Sequence, residues 1–379
     1  MKKKPLRRFL YAFQNFFWIL LLIATICGVR MTPAYADSRD AGITEGEGQK
    51  NLLVIPFPIY TPETRAAMTL TGMYHFRDSD AGRPAMLMAF LAYSQQNQFR
   101  FAANGRSWLA DDGLHASGGV GFSDWPDKFY GIGVDNTEDD EEKYTLRDLS
   151  LRFALQHRIT QHWKAGGGLH FRRWDIADTV AGGLLETGAI PGAEGGYVFG
   201  IGPVATCDSR DDVFFPRGGG YVRLSAKFFP GALSDYRFRR FRADFRQYLP
   251  VGDYGVMALR QYASLVRGDA PFTYLSKIGD MGESSIGRGY YSGLFRGRDL
   301  GAVQAEYRTR IWGRVGGALF AEAAVIGHDF FRGDDLSVKP SGGAGLRYRI
   351  GGRETVNLRL DFAAGKDSTG VYFNILESF

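Results

Sequence analysis

Cysteine is almost missing from this chain. Its 379 residues include two, Cys27 and Cys207, and Cys27 lies in an N-terminal stretch with the features of an export signal. The remainder has a single thiol, so no internal disulfide can staple it. Histidine is also scarce, at six. There is no Gly-x-Ser-x-Gly nucleophile elbow and no Cys/His spacing of the kind that holds zinc. We therefore expect no enzyme, no metal and no cofactor. Long apolar runs are confined to the first 27 residues, which excludes a bundle of transmembrane helices. Amphipathic helical periodicity is equally hard to find.

What is present begins with a basic segment at Lys2, Lys3, Lys4, Arg7 and Arg8, then an apolar run from Phe16 to Cys27, then Ala34-Tyr35-Ala36. This is the layout of a cleaved signal peptide over residues 1–36. The apolar run is shorter than the roughly 20 residues a spanning helix needs. The formal net charge of +5 reflects 46 basic and 41 acidic residues. Six of the basic residues and none of the acidic ones fall in 1–36, leaving 40 against 41. The mature chain is near neutral and offers nothing to nucleic acid.

The remaining 343 residues read as strand after strand. Val222, Leu224, Ala226 and Phe228 alternate with Arg223, Ser225 and Lys227. Phe241, Ala243 and Phe245 alternate with Arg240, Arg242, Asp244 and Arg246. Val303, Ala305, Tyr307, Thr309 and Ile311 oppose Gln304, Glu306, Arg308 and Arg310, and Val356, Leu358, Leu360 and Phe362 oppose Asn357, Arg359 and Asp361. Period-2 patterning marks strands with two unlike faces. Dense charge of both signs on one face, and long apolar faces flanked by aromatics on the other, favour a hydrated barrel lumen over a soluble sandwich. The expected fold is all-β: a closed, antiparallel, 16-stranded transmembrane β-barrel. Its strands are counted from Arg65–Phe76 to Gly370–Ser378, with His115–Gly121 as the fourth and Phe272–Ile278 as the eleventh.

Two stretches break the strand pattern in a distinctive way. In Ser284–Asp299 a lone cation, Arg288, sits between Gly287 and Gly289 and is followed by Tyr290. This is a loop that presents one guanidinium to a specific acidic partner. In the second, Asp208, Arg210 and Asp211 are followed by Pro216 and Gly218. Three carboxylates near an arginine allow a cation site, but a tight turn accounts for them better. Asp208 and Asp211 would bond local N–H groups, Arg210 would bridge them, and Pro216 and Gly218 would set the reversal.

Four segments together resemble a known family. They are Pro56-Phe57-Pro58-Ile59-Tyr60-Thr61-Pro62-Glu63-Thr64, then Phe129-Tyr130-Gly131-Ile132-Gly133 with the acidic stretch and Tyr144-Thr145 that follow, then the Asp208–Gly218 turn, and last Ile286-Gly287-Arg288-Gly289-Tyr290. In this order the chain resembles the BamA/TamA superfamily of outer-membrane proteins, in its bacterial surface antigen branch. The resemblance implies that the sixth extracellular loop, over 280–300, folds into the lumen and that Arg288, with Gly289 and Tyr290, locks onto acidic residues of the following strands. Strand alternation independently nominates Glu306. It also nominates Glu322, in Phe320-Ala321-Glu322-Ala323-Ala324, where the family pattern has Phe-x-Asp-x-Gly. The final strand, with Tyr372, Phe373 and the terminal Phe379, looks like the signal by which outer-membrane proteins are handed to their assembly machinery, which makes this chain a client of it.

Family members that insert proteins usually carry periplasmic POTRA domains before the barrel. Here only residues 37 to about 49 separate the cleavage site from the first barrel segment, too few for a folded domain. The expectation is a barrel-only member: a short periplasmic lead-in over 37–64, a barrel over 65–379, and a separate periplasmic partner as the source of any POTRA-like arm. The resemblance implies a place in the bacterial outer membrane, in contact with its lipids. It also implies a part in outer-membrane protein assembly, insertion or translocation, or in lipid remodelling, through a lateral seam between the first and last strands. The residues leave an alternative open. Arg240, Arg242, Arg246, Arg308 and Arg310 on lumen faces would suit a passive, anion-preferring channel plugged by loop 280–300.

Overall fold

The computed structural model describes residues 51–76, 85–110, 113–213, 215–279, 285–350 and 356–379. The expected signal peptide and the lead-in up to residue 50 lie outside the described residues. Sixteen antiparallel strands close into one barrel. In chain order they are β1 (Asn51–Thr61), β2 (Arg65–Phe76), β3 (Ala85–Ser94), β4 (Phe99–Leu109), β5 (Leu114–Phe129), β6 (Glu142–Arg158), β7 (Trp163–Ala177), β8 (Gly196–Asp208), β9 (Gly219–Phe229), β10 (Phe238–Val251), β11 (Gly255–Gly268), β12 (Asp299–Trp312), β13 (Val315–Gly327), β14 (Ser337–Ile350), β15 (Val356–Gly365) and β16 (Ser368–Ile375). Each pairs with its neighbours in sequence, and β1 meets β16. Closure brings the two ends of the sheet together in lipid, where an unpaired backbone amide is costly.

The alternation decides which way each side chain points. On β6, Leu149, Leu151, Phe153 and Leu155 are exposed on the outer wall, while Gln156 is buried inside. On β12, Gln304, Glu306 and Arg308 are all buried in the lumen. An outward apolar band over a charged interior is the pattern of a membrane barrel. Long connections at 130–141, 178–195, 230–237, 269–298 and 328–336 gather on one rim, and short ones at 159–162, 252–254 and 313–314 on the other, where the turn at 209–218 is the exception. Extracellular loops are the long ones in such barrels, so the short rim is periplasmic.

The structure corrects the strand list in four places. The barrel begins at Asn51 rather than Arg65, because Asn51–Thr61 pairs with β2 along its whole length. Pro56 and Pro58 disguise this strand in the sequence, since proline supplies no N–H and is tolerated at a weakly paired edge. The segment Phe272–Ile278 is not a barrel strand. It holds a short 3-10 turn, Phe272–Tyr274, and a two-residue ladder of Ser276–Lys277 with Arg296–Gly297. Its apolar residues, Phe272, Tyr274, Leu275 and Ile278, are buried among the loops instead of paired in the wall. The fourth expected strand, His115–Gly121, runs on to Phe129 as β5, and the last strand ends at Ile375 instead of Ser378. One strand lost and one gained leave the count at sixteen, with the long loop still between β11 and β12.

Two features of this barrel bear on function. Among the described residues the β1–β16 junction is paired at a single position, Tyr60 opposite Phe373, whereas the β15–β16 ladder runs from Leu358 opposite Ile375 to Gly365 opposite Ser368. The missing N–H groups of Pro56 and Pro58 fit this, because the β1–β2 ladder continues through both prolines. The second feature is the core, which sits inside the extracellular half of the barrel. Ile278, Ile286, Tyr290, Leu294 and Phe295 of the long loop pack against Tyr262, Leu300 and Ile326 of the wall.

Candidate functional site: the docked loop and its charge network

Backbone conformation comes first in bringing the loop tip into the lumen. Gly287 and Gly289 have φ of +80° and +104°, in the region that favours glycine. A Cβ on Gly289 would stand 2.7 Å from backbone atoms of Ala364 and Gly365. The two glycines thus allow both the reversal and a close approach to β15. Arg288, between them, is wholly buried.

The guanidinium is satisfied on three sides. Arg288 Nε donates to Glu322 Oε1 at 2.7 Å, Nη1 to Asp361 Oδ2 at 2.9 Å and Nη2 to Glu306 Oε2 at 2.8 Å. Its flat face lies over the Phe320 ring, 3.5 Å from the centroid. Gly287 N–H donates to the other Glu322 oxygen at 2.7 Å. The longer side chain of Glu322, standing where the family pattern has Asp, thus spans both the guanidinium and a backbone amide. Charge-assisted bonds of this length are among the stronger polar contacts. Their weight in a buried site depends on how fully each charge is paired.

Pairing is close to complete. Glu306 also accepts from Arg308 Nε at 2.9 Å and Arg347 Nη2 at 3.0 Å. Asp361 accepts from Arg347 Nη1 at 2.6 Å and lies 3.5 Å from Arg359 Nε. Glu377, beyond the end of β16, accepts from Arg347 Nε at 2.9 Å and Asn357 Nδ2 at 2.8 Å. Four carboxylates therefore meet the four guanidiniums of Arg288, Arg308, Arg347 and Arg359. In the loop, burial first, and then the carboxylates of Asp127 and Glu63, push the Tyr291 phenol above its ordinary value. It remains a neutral donor, to Asp127 at 3.3 Å.

The loop also touches both sides of the β1–β16 junction. Gly289 N–H donates to the Tyr372 hydroxyl on β16 at 2.9 Å, and Ser368 Oγ donates to the Gly289 carbonyl at 2.7 Å. The Tyr290 hydroxyl donates to the Pro340 carbonyl at 2.7 Å and accepts the Lys366 N–H at 2.8 Å. On the other side, Ser292 N–H donates at 2.8 Å to Glu63, in the turn between β1 and β2.

The structure brings Arg288, Gly289, Tyr290, Glu306 and Glu322 together. Sequence reasoning did not nominate Asp361, Arg347, Glu377 or Glu63 as partners. Asp361 was legible as an inward position on β15, and its approach to the loop was not. Tyr372, Phe373 and Phe379 fall apart in space. Tyr372 points inward to the loop and Phe373 lies at the junction, its ring 5.3 Å from that of Phe57. Phe379 turns into the lumen against Tyr248, Val256 and Ala258.

The second sequence motif forms a separate turn at the periplasmic rim. Arg210 makes a two-pronged contact with Asp208, Nε to Oδ1 at 2.8 Å and Nη2 to Oδ2 at 2.7 Å. Asp211 Oδ1 accepts the N–H groups of Asp212 and Arg217, both at 2.9 Å. Pro216 is buried, and the left-handed position is Gly219, at φ +85°, rather than Gly218. The carboxylates are occupied by local N–H groups and by Arg210.

Comparison with known proteins agrees with this architecture. Residues 82–379 match the model of the Omp85 superfamily domain. Among solved structures, BamA from Haemophilus ducreyi lacking POTRA domains 1-3 superposes with a TM-score of 0.59 at 14% identity, covering 88% of this chain and 70% of that one. CdiB from Escherichia coli gives 0.58 at 15% identity, covering 88% and 68%. CdiB from Acinetobacter baumannii gives 0.57 at 11% identity, covering 88% of this chain and 60% of that one. No curated protein matches the chain.

Proposed function

The chain belongs to the Omp85 superfamily, whose barrel fold indicates the bacterial outer membrane, and from that premise we propose that it takes part in outer-membrane protein insertion or translocation through the β1–β16 junction. The observation that carries this reading is the thinness of the junction, paired only at Tyr60 and Phe373. An edge with unmade backbone bonds can template an incoming strand by β-augmentation. The docked loop, held on one side by Tyr372 and Ser368 and on the other by Glu63, acts as a strap across the seam. Export by a cleaved signal over 1–36, and delivery of substrate by a periplasmic partner, complete the proposal.

A disulfide across the seam tests it. Tyr60→Cys with Phe373→Cys places two thiols at directly opposed positions, where Cα separation suits a disulfide. Cys207 is buried and does not compete. Under oxidation the folded barrel should persist while other outer-membrane proteins accumulate unfolded, and reduction should restore them. Normal levels of folded clients with a fully crosslinked seam would rule the seam out.

One observation favours a second reading. Between the docked loop and the wall lies a cavity of about 460 Å³ whose lining includes Arg100, Arg172, Arg240, Arg242 and Lys277. A passive, anion-preferring channel plugged by the loop would use it. Single-channel recording separates the two: a steady, anion-selective pore in the wild type supports the channel, and a silent barrel supports the seam.

A further inference from the structure

The periplasmic mouth holds an arginine-lined cleft of about 120 Å³ between the turn at 209–218 and the ends of β12 to β14. Six arginines line it, Arg217, Arg308, Arg310, Arg314, Arg347 and Arg349, with no carboxylate among the described lining residues. Arg308 and Arg347 also reach inward to Glu306. The other four are differently placed. The Arg310 guanidinium lies over the Tyr254 ring, 3.7 Å from its centroid, and that of Arg349 lies 5.8 Å from the Phe215 ring. Arg217 donates to the Asp253 carbonyl at 2.6 Å, and Arg314 is exposed at a hairpin tip. A guanidinium laid flat on an aromatic ring is held in orientation while its N–H edge stays available. Clustered like charge at a mouth also focuses a positive potential outward.

The chain itself indicates what chemistry fits. Glu377 bonds Arg347 and lies 3.5 Å from Arg308 Nε. The Phe379 carbonyl accepts from Arg308 Nη2 at 3.1 Å, and the Phe379 ring lies 5.4 Å from that guanidinium. A peptide segment with one carboxylate side chain, Glu377, thus already occupies the inner side of this arginine group. By strand alternation, Arg310 and Arg349 share the inward face with Arg308 and Arg347. They look into the mouth, away from the lipid on the outer wall.

We propose that this cleft is a docking site for an acidic polypeptide segment presented from the periplasm, with its carboxylates on Arg217, Arg310, Arg314 and Arg349. The site does not depend on whether the seam opens. Arginine suits the role because its fork pairs with a carboxylate through two N–H groups at once.

The test uses the full chain in nanodiscs of neutral phospholipid, with fluorescein-labelled hexaglutamate as probe and hexaglutamine as its uncharged counterpart. Anisotropy should show hexaglutamate binding that weakens steeply with salt. The double variant Arg310→Gln/Arg349→Gln should weaken it about tenfold or more, with unchanged heat-modifiable mobility. Arg239→Gln, at the extracellular rim, should leave it as in the wild type. Should the double variant misfold, Arg217→Gln with Arg314→Gln, both on connections outside the strands, serves in its place and should give the same loss. Equal binding of hexaglutamine, wild-type affinity in a folded cleft variant, or an equal loss with Arg239→Gln overturns the proposal. So does loss of peptide binding when anionic phosphatidylglycerol vesicles are added at a charge concentration at which free glutamate has no effect, since the cleft would then belong to lipid.

Discussion

The Tyr372 hydroxyl accepts the Gly289 N–H at 2.9 Å, and both groups are buried. One hydrogen bond thus ties the tip of the longest loop to the last strand, next to the least-paired junction of the barrel. Tyr372→Phe keeps the ring and removes the acceptor, leaving a buried N–H unmatched. The expected cost is about 1–3 kcal/mol, read as a lower midpoint for heat-modifiable migration and faster proteolysis of the loop. No change in either would show that the loop does not lean on β16.

Arg288→Ala should be more damaging. It leaves Glu306, Glu322 and Asp361 facing each other with one guanidinium fewer, and removing one partner of a buried ion pair costs about 3–5 kcal/mol. Arg288→Lys keeps the charge but cannot reach three carboxylates through a planar fork, so it should fall between alanine and the wild type. Thermal melts of the three proteins in one detergent give the ranking. A lysine variant as stable as the wild type would argue for bulk charge over geometry.

Gly289→Ala tests the close approach rather than the charge. The added Cβ would meet the Ala364–Gly365 backbone at 2.7 Å, at a φ that L side chains rarely adopt. Strain of this kind costs roughly 1–3 kcal/mol, before any loss of the bonds that Arg288 makes. The loop should become protease-sensitive although every charged residue remains. Gly313→Ala also sits at positive φ but has nothing within 4 Å, so it reports the conformational cost alone and should be milder.

Replacing Pro56 and Pro58 by alanine returns two N–H donors to β1. If the shortage of donors keeps the junction short, the new amides at 56 and 58 should be protected from hydrogen exchange by β16 carbonyls, the longer ladder should protect amides of β16 in turn, and any reaction that needs the seam should slow. Unaltered exchange along Ser368–Ile375 would place the weakness elsewhere, for example in the early end of β16.

Much of the fold was legible because membrane barrels repeat one signal. Inward charge and outward hydrocarbon alternate so regularly on β9, β10, β12 and β15 that faces could be assigned residue by residue. The failures have physical reasons. β1 was hidden by Pro56 and Pro58, which look like strand breakers until the partner on one side is missing. Phe272–Ile278 imitated a strand because a short aromatic and apolar run reads as one, and burial among the loops asks for the same composition without a ladder. At the site, Glu306 and Glu322 could be proposed from parity. Asp361 was legible as an inward residue, but its part depends on how far the loop reaches around the wall, and alternation carries no information about reach. Glu377 lies beyond the last strand, where alternation ends, and joins the network through Arg347, Arg308 and Asn357 of the wall.

The wall is not of even height. β6 has 17 residues and β5 has 16, while β16 has eight. At a rise of about 3.3 Å per residue, the tallest strand is roughly 56 Å long and the shortest roughly 26 Å. A tilt of about 40° reduces the height of the shortest to about 20 Å. The apolar band of an outer-membrane barrel is about 25 Å tall. From strand length alone, lipid beside β16 is expected to thin or tilt to meet it, and lipid beside β5 and β6 is not, which neutron or X-ray reflectivity on the barrel in bilayers of graded thickness would check. The wall is lopsided, and its shortest strand stands where it is least closed.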